Sequence, residues 1–210
     1  MFKATVVAAM GLVSPLLITG AIAQTASFNF DGLSFVLNVE PETLGGYDRG
    51  GWPHWTRRVE GHCFTVRDKV LAEESLVPVT TITKKSGRCR VVTGHWHDPY
   101  TGEPFDSVSD VDIDHVVPLH EAHKSGGYAW DRERRRAYAN DLSYKDHLIA
   151  VEKSENRNAK SDKDPADYLP RAEFQCDYVR AWVRIKHRWG LSADQDEVDA
   201  INGVISSRCD

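Results

Sequence analysis

The chain of 210 residues carries 26 Lys and Arg against 31 Asp and Glu, a formal net charge of −5. That length suits a single domain with a sizeable core. The acidic balance excludes a broad basic surface as the source of nucleic-acid affinity and leaves that role to local basic clusters.

Residues 1–23 start with one lysine, Lys3, run through apolar and small residues to Gly20, and close on Ala21-Ile22-Ala23. A basic start, an apolar run and a small-x-small ending predict a secretory signal peptide. Gly11, Ser14, Pro15 and Gly20 interrupt the run and make it a poor membrane span. The mature chain is expected to be residues 24–210, one domain, secreted to an extracellular or periplasmic space, monomeric and without a membrane partner. Losing Lys3 takes the net charge from −5 to −6.

From Gln24 to Gly51, glycines, aspartates and scattered aromatics predict loops and a short hairpin. Thr65 caps a helix to Leu76, with Val66, Val70 and Leu71 as its apolar stripe, and Pro78 closes it. Val79–Ile82 and Cys89–Gly94 read as strands joined by Lys84-Lys85-Ser86-Gly87. His95, His97 and Asp98 offer a weak metal pattern, set against a turn through Asp98-Pro99-Tyr100-Thr101-Gly102. Leu119–Ser125 is a short helix carrying His120, Glu121 and His123, and Asp131 caps another running to Tyr138 or Asn140. Arg132, Arg134, Arg135 and Arg136 on that helix are either one wall of a positive groove or a solvated face. Pro165–Leu169 suits a single turn. From Glu173 to Trp189, Phe174, Tyr178, Trp182, Ile185 and Trp189 recur at spacings of four, four, three and four, the stripe of an amphipathic helix with more core than stacking character. Gly190 ends it, and a last helix, Asp194–Ser207, buries Val198, Ile201 and Ile205.

Cys63, Cys89, Cys176 and Cys209 are an even set in a chain expected outside the cell, which predicts two disulfides. Three pairings are open. Cys63–Cys89 with Cys176–Cys209 is favoured, because each pair lies within one contiguous region. No Cys-x-x-Cys spacing supports a zinc site.

The stretch Asp110-Val111-Asp112-Ile113-Asp114-His115-Val116-Val117-Pro118 organises the chain. It alternates acid and apolar residues, the pattern of a half-buried strand, with Asp110, Asp112 and Asp114 on one face and Val111, Ile113 and His115 on the other. A carboxylate beside a histidine supplies a hard oxygen ligand and a group that titrates near neutrality. About forty residues on, His147-Leu148-Ile149-Ala150-Val151 reads as a second strand, and Glu152–Lys163 as a helix bearing Asn156, Arg157, Asn158 and Lys160.

These blocks, with Ala139-Asn140-Asp141-Leu142 between them and Asp164-Pro165 after them, resemble the secreted HNH endonucleases whose domain is of the DUF1524, or GmrSD C-terminal, type. Asp-x-Asp-His-x-Val-Pro followed by Asn-Arg…Lys-Ser-Asp is also similar to the HNH domain of CRISPR effector nucleases. The resemblance implies an α+β fold: a ββα-metal core at 108–165, flanking helices, a C-terminal helical hairpin at 173–208, and disulfide staples. It implies metal-dependent hydrolysis of DNA, with RNA as a second substrate and little sequence preference. Asp114 and Asn156 would hold a divalent cation, Mg²⁺ first, with Mn²⁺, Ca²⁺ and Zn²⁺ as the other choices. His115 would act as general base, with His147 at the position that usually orients it, and Arg157 or Lys160 would clamp the phosphate. Arg67, on the helix after Cys63, and Glu121 are further substrate contacts. The family spacing is Asn-Arg-x-Lys; here Lys160 follows Asn156 by four, one residue longer, which leaves Asn158 as the rival ligand. The competing class is a module on the same fold that binds nucleic acid or a partner without cleaving.

Overall fold

The computed structural model describes residues 24–55 and 59–209. The leader expected over residues 1–23 lies outside them. The chain is α+β. Strands β1 (Gln24–Phe30) and β2 (Leu33–Val39) form the expected N-terminal hairpin. Helix α1 (Val66–Glu74) follows, its N-cap Thr65 accepting from the Asp68 amide at 3.3 Å. Strands β3 (Thr80–Thr83) and β4 (Cys89–His97) pair through the expected turn, and β5 (Pro104–Ser107), which the sequence reading missed, adds a third strand to β4. Strand β6 (Val111–His115) pairs antiparallel with β7 (Leu148–Glu152), with Asp114 opposite Ile149 and His115 opposite Leu148. Short helices α2 (Leu119–Lys124) and α3 (Arg132–Tyr138) lie between them. Helices α4 (Gln175–Trp189) and α5 (Gln195–Arg208) close the chain, and Gly190 ends α4 in the left-handed region at φ 66°.

The β6–β7 ribbon separates two apolar cores. Val111, Ile113, Leu148 and Ala150 face the smaller one, with α1, Val91 and Trp96. Ile149 and Val151 face the larger one, built on Tyr178, Trp182 and Ile185 of α4 and Val198 and Ile201 of α5. Along the acid face Asp110 is exposed, Asp112 is half-buried and Asp114 is only 5% exposed, with the cations Arg157 and Lys160 paired to the last two. The α4 aromatics Tyr178 and Trp182 are core, as their spacing suggested.

The helix expected over Glu152–Lys163 is shorter and wider than the reading had it. Its centre is a π-type turn, Glu155–Lys160, in which the Ser161 amide donates to the Asn156 carbonyl at 2.8 Å, five residues back. A π-type turn accommodates one extra residue within a helix, which is the insertion noted between Asn156 and Lys160.

Both favoured disulfides are present, Cys63–Cys89 and Cys176–Cys209, with Cα–Cα distances of 5.1 and 5.2 Å. For loops of this length the chain-entropy model attributes roughly 3–4 kcal/mol to each bridge.

Glu74 at the end of α1 accepts from the Ala150 amide at 2.6 Å and so ties α1 to β7. Burial pushes its carboxyl up to about 7. A folded-state pKa above the unfolded value means that stability is fully present below the unfolded pKa and is lost as pH rises through the folded one. The span from 4.5 to about 7 is worth on the order of 3 kcal/mol. Glu74→Gln keeps an acceptor and removes the titration, so its melting temperature should fall less than wild type between about pH 5 and pH 8. Equal pH slopes for the two proteins would refute this assignment.

Candidate active site

Where β6 ends, the chain presents Asp114 and His115 to one cleft of about 630 Å³. Tyr47, Arg49, Trp55, Arg67, Asn156 and Arg157 also line it.

Asp114 is held from behind. The Tyr100 hydroxyl donates to Oδ2 at 2.7 Å, and Lys160 Nζ donates to Oδ1 at 3.2 Å. Lys160 also donates to the His115 carbonyl at 3.1 Å. Burial raises the Asp114 pKa, while the Lys160 charge and the Tyr100 hydroxyl oppose that rise. Burial likewise lowers the Lys160 pKa against the pull of Asp114. Each group thus opposes the effect of burial on the other. Tyr100 comes from the turn the sequence reading had set against a metal pattern. Asp98 there accepts from the Tyr100 amide and the Thr101 hydroxyl, and His95 pairs with Asp106, so those residues form no metal cluster.

His115 is positioned by the Ala139 carbonyl and by Trp55. Its Nε2 donates to the Ala139 carbonyl at 3.0 Å. A carbonyl only accepts, so the proton sits on Nε2 and Nδ1 carries the lone pair. Trp55 stacks on the imidazole, with centroids 5.0 Å apart and planes at 26°. Trp55 itself adopts φ 56°, unusual for a non-glycine residue, and its amide donates to Asn140 Oδ1 at 3.1 Å. Asn140 is fixed in turn by donating to the Pro53 and Arg136 carbonyls. Burial pushes the His115 pKa well below its ordinary value, with His147 and the backbone bond to Ala139 as smaller influences.

His147 makes no hydrogen bond to His115. Its Nε2 donates to the Tyr138 carbonyl at 2.8 Å, and burial brings its pKa down to about 4. It packs edge-on against His115 at 6.2 Å, which leaves orientation to Ala139 and Asn140, residues seen in the sequence only as part of a resembling block.

Asn156 lines the cleft, and among the described residues its side-chain amide has no partner. Asn158 points elsewhere, donating to the Ser154 hydroxyl at 3.0 Å. Arg157 grips Asp112 through Nε at 2.6 Å and Nη2 at 3.0 Å. Arg67 donates to the Val111 carbonyl and keeps its other donors for the cleft. His120 pairs with Asp162 at 2.5 Å, and His123 is buried near Tyr47 and Trp52.

Two expected substrate contacts lie in the interior. Lys160 is fully buried beneath Asp114, so it supports that carboxylate and does not reach the cleft. Glu121 is also fully buried, in an ion network with Lys186 at 2.7 Å and Lys124 at 2.9 Å. Glu42 and Asp164 approach the same network. Lys124 pairs with Glu42 and Glu121, Lys186 with Glu121 and Glu197, and none of these residues lines the cleft. The α3 arginines line no wall of the cleft either. Arg134 lies over Trp130, and Arg135 binds the Gly127 and Tyr128 carbonyls.

Asp114 and Asn156 present hard oxygens to one cleft. A carboxylate has about four lone-pair sites, so Asp114 keeps acceptor capacity beyond its bonds to Lys160 and Tyr100. Such a donor set fits a small divalent cation that retains several waters.

Residues 65–203 match the family model described as GmrSD restriction endonucleases, C-terminal domain. The chain belongs to this family. It is also 36% identical over 187 residues to a protein of Arthroderma benhamiae described as "Uncharacterized secreted protein", covering 88% of this chain and 85% of that one. No solved structure matches. Within the GmrSD C-terminal match fall β6, β7, the π-type turn, Arg67 and Tyr100; Arg49 and Trp55 precede it.

Removing the lysine from a buried ion pair leaves an uncompensated charge, a loss of about 3–5 kcal/mol. Lys160→Met should therefore destabilise this GmrSD C-terminal domain by that order in urea unfolding. A loss below about 1 kcal/mol would show that Asp114 is neutral or solvated.

Proposed function

We propose that this protein is a secreted, metal-dependent endonuclease of the HNH type, hydrolysing phosphodiester bonds of DNA, and of RNA as a second substrate, with little sequence preference. The observation that carries the reading is the convergence of Asp114, His115 and Asn156 on one arginine-lined cleft, at the end of a two-stranded ribbon followed by a helical turn. We read that unit as a ββα-metal core. Membership in a restriction-endonuclease family and the secreted relative support it. No helix among the described residues is long and apolar enough to cross a membrane.

In this mechanism His115 Nδ1 takes the proton of the attacking water. Its low pKa keeps the imidazole neutral and the lone pair free at neutral pH. Asp114 and Asn156 would hold the divalent cation, Mg²⁺ by the hardness of their oxygens. When bound, such a cation neutralises charge on the scissile phosphate and the leaving oxygen. Arg67 supplies donors to the phosphate, and Arg49 adds a second cation that no carboxylate pairs among the described residues. Arg157 holds Asp112, keeping that carboxylate away from the incoming phosphate.

Purified protein incubated with supercoiled plasmid should nick and linearise it, and EDTA should stop the reaction. Full activity in EDTA would remove the metal from the mechanism. His115→Ala should lower turnover by about two to four orders of magnitude, the contribution of a general base. Turnover close to wild type in that variant would sink the assignment.

The two asparagines give a separate test. Residues two apart on a helix point about 200° apart, and here only Asn156 faces the cleft. Asn156→Ala should raise the Mg²⁺ concentration needed for cleavage at least roughly tenfold, as metal-site losses do, whereas Asn158→Ala should stay near wild type. The reverse order in a Mg²⁺ titration would make Asn158 the ligand.

A further inference from the structure

Beside the first cleft lies a second of about 250 Å³, and the two share Trp55 and Arg67. Lys84, Arg88 and Arg90 line the second cleft with Arg67, and Asp68 is its one acid. That carboxylate is buried and already bound, accepting from the Thr65 hydroxyl at 2.7 Å and the Val91 amide at 3.1 Å. The side chains of Lys84, Arg88 and Arg90 make no ion pair or hydrogen bond among the described residues, and all three are exposed. Four cations therefore face one shallow cleft with no free carboxylate opposing them, on a protein of net charge −5. Arg67 lies between the sets: after its burial and two nearby aspartates, Arg90 and Arg157 bear on its pKa.

All four residues of β3 are exposed, whereas Val91 and Trp96 of β4 pack into the smaller core. The turn end of this hairpin, where Cys89 pairs with Thr83, is fixed as well. Cys89 opens β4, is bonded to Cys63, and its amide donates to the Cys63 carbonyl at 2.9 Å. A covalently fixed arm of unpaired cations, joined to the catalytic cleft through Trp55 and Arg67, suits a repeating anion of fixed spacing.

We infer that the β3–β4 arm is a second phosphate-binding subsite, which holds the sugar–phosphate backbone of the same nucleic-acid strand several nucleotides from the scissile bond. The inference rests on the endonuclease reading for what happens in the first cleft. Trp55, partly exposed, lines both clefts at their junction. Affinity then comes from a local track and not from net charge, and long strands are preferred over short ones.

The test uses the whole mature chain and the triple variant Lys84→Glu/Arg88→Glu/Arg90→Glu, with the corresponding triple Gln variant as a folding and charge control. Cleavage of single-stranded oligonucleotides of about 4 and about 20 nucleotides is measured with Mg²⁺, and binding of a fluorescent 20-mer is followed by anisotropy in EDTA across a salt series. The triple Glu variant should raise KM for the 20-mer roughly tenfold to a hundredfold and bring it near the KM for the 4-mer, with kcat little changed. The triple Gln variant should show a smaller shift in the same direction. Single strands lose about 0.7 in the log–log salt slope for each phosphate contact, so the Gln variant should lose about 2. Unchanged KM, length preference and salt slope in both variants would overturn the subsite even if wild type cleaves. Wild type that binds the 20-mer through these residues yet cleaves nothing would keep the subsite and remove the nuclease reading. Wild type that neither binds nor cleaves would remove both.

Discussion

The buried ion pair between Asp114 and Lys160 is the contact on which the rest of the site depends. Two opposite charges leave water together, a costly step that is offset only when geometry and extra hydrogen bonds are good. Here the extra bonds are present: Tyr100 donates to the carboxylate, and the lysine also donates to the His115 carbonyl. One ammonium thus ties the end of β6 to the end of the π-type turn. The insertion between Asn156 and Lys160 is tolerable for the same reason. The wide turn absorbs the extra residue while Asn156 stays on the cleft and Lys160 stays beneath Asp114.

The general base is built on a different principle. His115 is held by neutral groups: a backbone carbonyl at Nε2 and aromatic planes at Trp55 and Tyr138. Neutral surroundings disfavour the imidazolium, so the ring stays a base where an imidazole next to a carboxylate would be charged. Asn140 braces this arrangement at a distance. It fixes Trp55 in a strained backbone conformation, and strain of that kind persists only when neighbours over-determine it.

The sequence carried the elements with strong periodicity and the residues in tight local blocks. The α4 stripe, the β6–β7 pair, the Thr65 and Asp131 caps and both disulfides were readable because each depends on residues close in sequence or on a counting argument. What stayed hidden depends on contacts far apart in the chain. Glu121 sits on a short helix and was expected to contact substrate, but Lys186 reaches it from α4 across 65 positions. Lys160 looked like a phosphate clamp because its partner, Asp114, lies 46 positions earlier. Tyr100, Arg49 and Trp55 carry no periodic or motif signal. The depth of Asp114 was hidden as well, because alternation reports the difference between two faces and not how far each is covered.

Charge is the remaining thread. Net charge argues against nucleic-acid binding only if charge is spread evenly, and here it is not. Within the first cleft, Asp112 pairs with Arg157, Asp114 pairs with Lys160, and Asp162 hydrogen-bonds His120. Each aspartate that would repel a phosphate is occupied, which leaves Arg49 and Arg67 as the groups facing outward unpaired. At a Debye length of about 8–10 Å in physiological salt, distant surface acids contribute little to that local field. A strand arriving at the cleft therefore meets the unpaired arginines and not the average of the protein, and an acidic chain remains compatible with a polyanionic substrate.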